Sequence, residues 1–269
     1  MYGILKIPFT KAHGAGNDFL TTWAEQVPGE DLAAIARAIC DRHTGIGADG
    51  WIIVVDATIR LFNADGSEAE ISGNGTRCTA AVLVDAGLAG SELDITTGAG
   101  VKHLRLMERD GKQFLFEMDM GRPRWTEEHI RYSLPLESGE REVAILDVGN
   151  PQCAVLADEI PANWRDVGAE IEGHPYFPKR TNVSFVRVID DHTIEARFFE
   201  RGAGATLSSG TGSTGAAVAA ILRRAAASPV RVIGEAGELN IRWDDDSVFL
   251  TGPAVIIGSG EFYLLEPRP

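Results

Sequence analysis

The sequence predicts an α+β protein of two pseudo-symmetric domains, each a curled β-sheet wrapped around a central helix. Three observations carry that expectation. Many short strand-like runs are interrupted by only a few helical ones. One glycine-punctuated motif occurs twice, as Ser72-Gly-Asn-Gly-Thr and Ser209-Gly-Thr-Gly-Ser. Each copy follows a strand-like run, opens a small-residue helix, and has a polar residue nine positions before its serine, Asn63 in one half and Glu200 in the other.

Taken in order, residues 4–9 read as a strand, and Lys11 to Phe19 as a Gly-rich loop. Asp31 to Asp41 is a helix capped by Asp31, with Leu32, Ile35, Ala36, Ile39 and Cys40 on one apolar face. His43 falls at its C-terminal end. Thr44 to Gly50 is a second Gly-rich turn, before the strand 51–55. It precedes its strand and lacks lysine, which argues against a phosphate-binding loop of the nucleotide type. The run 59–62 leads into the first motif, and a helix over 76–86 leads out to a stop at Gly87. Strands follow at 93–96, 101–107 and 113–118, with Asp110-Gly111 as a hairpin turn. Gly121-Arg-Pro123 breaks the pattern, so the N-terminal half is expected over 1–122 and the C-terminal half over 123–259. The second half reads as strands 141–148 and 153–156, a helix over 161–172, and strands 183–188 and 193–199, the last delivering Glu200. The second motif helix is expected over 212–224. Short strands follow at 230–233, 239–243, 247–250, 254–257 and 261–265. The segment 260–269 is expected to return to the first half.

The totals bound the function. The 269 residues, 44% of them apolar, suit one large or two ordinary domains. No apolar run approaches the ~18 residues of a membrane span, and the N-terminus lacks the layout of a secretory signal. Both point to a cytoplasmic protein without a membrane role. A net charge of −14 argues against a nucleic-acid partner, which needs a basic stripe. Cys40, Cys78 and Cys153 are too few and too scattered for a disulfide framework or a zinc site. No metal is expected.

The motif has its own chemistry. The first turn of a helix leaves N–H groups without partners and carries about half a positive charge. Glycines there let a ligand approach closely. Each motif therefore reads as a pocket for a carboxylate or phosphate. Ser72 and Ser209 suit two roles, helix capping or catalysis. If the halves face one another, both helix starts can hold one anionic ligand.

At these residues the chain resembles the diaminopimelate epimerase family of cofactor-independent amino-acid racemases. The resemblance rests on Lys11–Phe19, Gly45–Gly50, Asn63–Cys78, Gly149-Asn-Pro, Thr181-Asn182 and Glu200–Gly212, in that order. It implies an epimerase-like fold with the site in the cleft between the domains. It implies an isomerase acting on LL- or meso-diaminopimelate by two-base proton exchange at the α-carbon, with no cofactor, in lysine and peptidoglycan precursor synthesis, and a homodimer. The backbone of Gly73-Asn74 and of Gly210-Thr211 would hold the reacting carboxylate. Asn17, Asn63, Asn150, Asn182, Glu200 and Arg201 would hold the far end of the ligand or line the site. The family places cysteines where this chain has Ser72 and Ser209, and a histidine where it has Gln152. A serine hydroxyl is a poor base unless a partner takes its proton. Three accounts stand side by side: both cysteines were replaced to trap a substrate; the chain is a natural member using another base, Glu200 first and Glu68 or Glu70 after it; or it binds an amino acid without turning it over.

Overall fold

The computed structural model describes residues 2–28, 31–244 and 246–267. The first residue of the expected N-terminal half, and residues 268 and 269 of the expected C-terminal strand, lie outside the described residues. The chain forms two units, Met1–Glu117 with Pro253–Pro269, and Met118–Gly252.

The first unit contains β1 (Tyr2–Gly14), β2 (Asn17–Trp23), α1 (Leu32–Cys40), β3 (Gly50–Val55), β4 (Thr58–Asn63), β5 (Glu68–Ala69), α2 (Gly73–Asp85), β6 (Glu92–Thr97), β7 (Gly100–Asp110) and the start of β8 (Gln113–Gly121). β1 and β2 are antiparallel, and α1 carries the chain over to β3, parallel to β2. β4 returns antiparallel to β3, and the chain then turns back to β5, antiparallel to β4. Then α2 crosses to β6, parallel to β4, and β7 returns antiparallel.

The second unit repeats those steps. After β9 (Tyr132–Leu134) come β10 (Arg141–Asp147), β11 (Pro151–Leu156), α3 (Trp164–Glu172), β12 (Asn182–Asp190), β13 (Thr193–Glu200), β14 (Gly204–Thr206), α4 (Gly210–Leu222), β15 (Val230–Gly234), β16 (Gly237–Trp243) and the start of β17 (Val248–Pro267), which belongs to the first unit from Pro253 onward. β10 and β11 are antiparallel, β11 and β12 parallel across α3, β12 and β13 antiparallel, β13 and β15 parallel across α4, and β15 and β16 antiparallel. Each internal strand, crossover and hairpin of one unit thus has a counterpart in the other, with the same direction of pairing.

The central helices are buried on nearly every side. All residues of α2 from Gly73 to Val84 are buried, and α2 touches β1, β2, β3 and β6. In α4 the stretch Ala216 to Ala220 is fully buried, and the helix touches β10, β11, β12, β13, β15 and β16. Glycine and alanine let strands approach the helix closely from several directions. A helix without a polar face is what such a position demands. The outer helices are amphipathic. Ile35, Ala36, Ile39 and Cys40 of α1 pack on Leu20, Trp51, Ile53 and Phe62. Trp164, Val167 and Ile171 of α3 pack on Cys153, Val155, Val183 and Phe185. β3, with both α1 and α2 packed on it, is buried at five successive positions, as a strand covered on both faces is.

The structure corrects several element boundaries. The expected loop over Lys11–Phe19 is a hairpin. β1 runs on to Gly14, and Ala15 and Gly16 form a two-residue turn with φ of 50° and 80° before β2 begins at Asn17. Both values lie in the region that matches strand twist in tight hairpins. The expected strands 247–250, 254–257 and 261–265 are one strand, β17, despite Gly252, Pro253, Gly258 and Gly260. Its register against β1 shifts between Lys11 and Ala12, opposite Gly258 and Ile256. A bulge of that kind accommodates glycine and proline within a strand. The motif helices begin at Gly73 and Gly210, not at 76 and 212, because the serine caps set the start and outweigh glycine's poor propensity. α3 begins at Trp164, not at 161.

Candidate functional site

In the first unit Ser72 caps α2. Its backbone is extended, with φ −133° and ψ 122°, and its Oγ accepts from Gly75 N at 3.1 Å. Thr76 Oγ1 donates to the Ser72 carbonyl at 2.8 Å. Gly75 is tightly enclosed: a Cβ there would lie 3.2 Å from Ile52 Cδ1 and 3.3 Å from Ser72 Cβ. Beside the cap, Arg77 donates to Asn74 Oδ1 at 2.5 Å, Asn74 Nδ2 donates to Asn17 Oδ1 at 3.1 Å, and Asn17 Nδ2 donates to Asp49 Oδ2 at 2.6 Å. Asp18 pairs with Arg42 at 2.7 Å and Lys11 at 3.0 Å, and Arg42 also reaches Asp49 at 2.8 Å. Burial alone would raise the Asp18 carboxyl, but hydrogen bonds from Arg42 and Lys11 outweigh it and hold the pKa below its usual value. The two loops that resemble the family's opening loops are thereby tied to the α2 start.

Asn63 is exposed and donates from Nδ2 to Ser67 Oγ at 2.9 Å, so it serves its own turn. Glu68 does not suit the role of base. Arg60 holds it with two bonds, at 2.8 and 3.0 Å, and keeps its carboxyl below the ordinary range. Glu70 is exposed. Among the described residues no carboxylate or imidazole bonds the Ser72 hydroxyl.

In the second unit Ser209 caps α4 with nearly the same backbone, φ −140° and ψ 122°, and its Oγ accepts from Gly212 N at 3.0 Å. The same hydroxyl donates to Glu200 Oε1. A hydroxyl has one proton and two lone pairs, so Ser209 caps and donates at once. β13 ends at Glu200 and pairs it with Gly204 of β14, which fixes the glutamate beside the helix start. Burial raises the Glu200 pKa above its ordinary 4.5, with the Ser209 hydroxyl opposing. That is the shift a general base near neutrality needs.

Around this couple, Asn150 Nδ2 donates to Thr211 Oγ1 at 3.3 Å, and Asn150 Oδ1 accepts from Gln152 Nε2 at 2.7 Å. Gln152 is buried, and its Oε1 has no hydrogen-bond partner among the described residues. Asn182 is committed to the backbone: Oδ1 accepts from Arg201 N at 3.0 Å, and Nδ2 donates to Pro151 O at 2.9 Å. The Arg201 side chain donates to Lys179 O at 3.4 Å and, among the described residues, meets no carboxylate. Two residues, one in each unit, escape sequence reading. Glu172, 2% exposed at the end of α3, accepts from Gly202 N at 3.1 Å and pairs with Arg180, holding the turn after Glu200. Arg77 is fully buried inside α2. Nothing in their local sequence separates them from a solvated helix face.

The cysteines do not replace the missing thiols. Burial pushes Cys40 and Cys78 up to about 12 and raises Cys153 as well, so none is a thiolate at neutral pH. The titratable chemistry of the motifs is therefore asymmetric: the α4 cap has a carboxylate partner, and the α2 cap has an amide chain.

The sequence matches the diaminopimelate epimerase family over residues 9–126 and 144–257. It is 42% identical to the diaminopimelate epimerase of an Azoarcus species, over 97% of this chain and all of that protein. It is 41% identical to that of Moorella thermoacetica, over 95% of this chain and 99% of the relative. Solved structures share the fold at low identity. A hydroxyproline epimerase from Agrobacterium vitis has a TM-score of 0.68 at 18% identity, covering 99% of this chain and 95% of its own. A PhzF-family phenazine biosynthesis protein from Bacillus anthracis has a TM-score of 0.68 at 17% identity, covering 95% and 98%. The α+β epimerase-like fold is thus established, and the chain belongs to the diaminopimelate epimerase family.

Proposed function

We propose that the protein is an isomerase that exchanges the α-proton of LL- or meso-diaminopimelate without a cofactor. The Ser209–Glu200 couple on the cap of α4 carries this reading. Glu200 in its carboxylate form takes the α-proton, directly or through the Ser209 hydroxyl. The electron pair of the broken C–H bond moves onto the substrate carboxylate, whose growing charge the N–H groups of Gly210-Thr211 and Gly73-Asn74 stabilise. Arg201 meets a carboxylate of the ligand with its planar fork, while Asn17 and Asn150 orient the residues of the helix starts. Asn63 and Asn182 act through backbone and turn. Return of a proton to the opposite face falls to Ser72, a far weaker acid than a thiol. Exchange with retention is therefore faster than inversion. The same reading puts the protein in lysine and peptidoglycan precursor synthesis, in the cytoplasm, as a homodimer.

The test is incubation with diaminopimelate in D₂O. Deuterium should enter the α-carbon of recovered substrate before its epimer accumulates, and Glu200→Gln should slow that entry by about 10²-fold or more. Serine at both cap positions favours a second reading, a homologue that binds an amino acid without turning it over. Binding without any deuterium entry selects that reading. Deuterium entry into another amino acid, and none into diaminopimelate, changes the substrate assigned.

A further inference from the structure

Arg77 is the one residue of the α2 start whose charge nothing above uses. It is fully buried, and its guanidinium meets oxygens without formal charge: Asn74 Oδ1 at 2.5 Å, and the carbonyls of Gly73 and Pro253 at 3.3 Å each. No carboxylate pairs with it among the described residues. A buried charge without a counter-charge is costly to keep. The other charges of the cluster, Lys11 and Arg42 against Asp18 and Asp49, cancel. The net positive charge behind the first turn of α2 is therefore that of Arg77, and it adds to the helix dipole.

Arg77 also sets direction. A guanidinium only donates and a carboxylate only accepts. The chain Arg77 to Asn74 to Asn17 to Asp49 therefore has one permitted sense, and both carboxamides are fixed with their oxygens towards Arg77 and their nitrogens towards Asp49. The matching contact of the second unit, Gln152 to Asn150 to Thr211, has neutral groups at both ends and no such constraint.

We propose that Arg77 is a positioning residue for the substrate carboxylate at the α2 start, supplying the charge that the carboxylate neutralises and locking Asn74 and Asn17 in the donor sense. This rests on the function proposed above. The ligand completes the ion pair that the fold leaves open.

Calorimetry with diaminopimelate and with its dimethyl ester tests it, the readout being the preference for acid over ester. Arg77→Gln keeps an N–H donor and drops the charge, and should lower that preference by about tenfold or more. Arg77→Lys keeps the charge and should stay within about threefold of the parent. A structural role alone weakens both ligands equally and leaves the preference intact; that result, or equal losses of preference in the two variants, overturns the proposal. If Arg77→Gln does not fold, Asn74→Asp decides, since it gives the guanidinium a carboxylate without changing shape. Its preference must fall too, and an unchanged value overturns the proposal. Parent protein that binds no diaminopimelate overturns the proposed function, and this inference with it, whereas parent binding with an unmoved preference overturns this inference alone.

Discussion

Ser209 holds a helix end with one lone pair and a carboxylate with its proton, and that double duty ties stability to chemistry at a single oxygen. The glutamate it serves has a stability signature. Because its folded pKa lies above 4.5, the Glu200 carboxyl contributes stability that is fully present below pH 4.5 and lost as pH rises through the raised value. Glu200→Gln removes that loss. Relative to the parent, the variant should gain stability between pH 4 and pH 7, as read from urea midpoints, while its exchange rate falls. The exchange rate of the parent should rise with pH along a limb whose midpoint lies above 4.5. At this scale the sequence was legible where the chemistry is local. The serines announce themselves as caps by type and position, and Glu200 by its place nine residues before Ser209. Glu172 and Arg77 were not legible, since their burial comes from strands distant in the chain. Nor could spacing tell that Asn182 spends both ends of its amide on backbone atoms.

The motif helices start where their caps dictate. Ser72→Ala and Ser209→Ala should each cost about 1 kcal/mol from the lost cap, measured by chemical denaturation. Only the second should also disturb the pH dependence that Glu200 imparts, because Ser72 has no titratable partner among the described residues. Ser72→Cys and Ser209→Cys together restore thiols at two helix starts that lower thiol pKa values. Inversion in D₂O should then catch up with exchange; a doubly restored protein that still exchanges without inverting would place the defect at Gln152. Helical period exposed α1 and α3, whose large apolar residues recur on one face. The hairpin at Ala15-Gly16 and the length of β17 were hidden. A non-glycine residue at φ 50° carries no signal in its type, and glycine and proline inside β17 imitate strand ends.

The duplicated plan was readable from the twin motifs, and a return to the first half was expected over 260–269, but the point where that return starts was not readable. The first unit takes its last strand from Pro253 onward, where Leu264 pairs with Leu5 and Phe262 with fully buried Ile7. A chain ending at Gly252 should keep the exchange protection of α4, β12 and β13, and lose that of β1 and β2, in amide hydrogen exchange. Uniform protection in both units of the shortened chain would show β17 to be dispensable. The long pairing also governs birth order. A ribosome releases β1 before its partner, with the whole second unit made between them. The earlier-made half therefore matures later, its β1 edge open to foreign strands throughout translation, and a chaperone that shields nascent chains has its target at that edge.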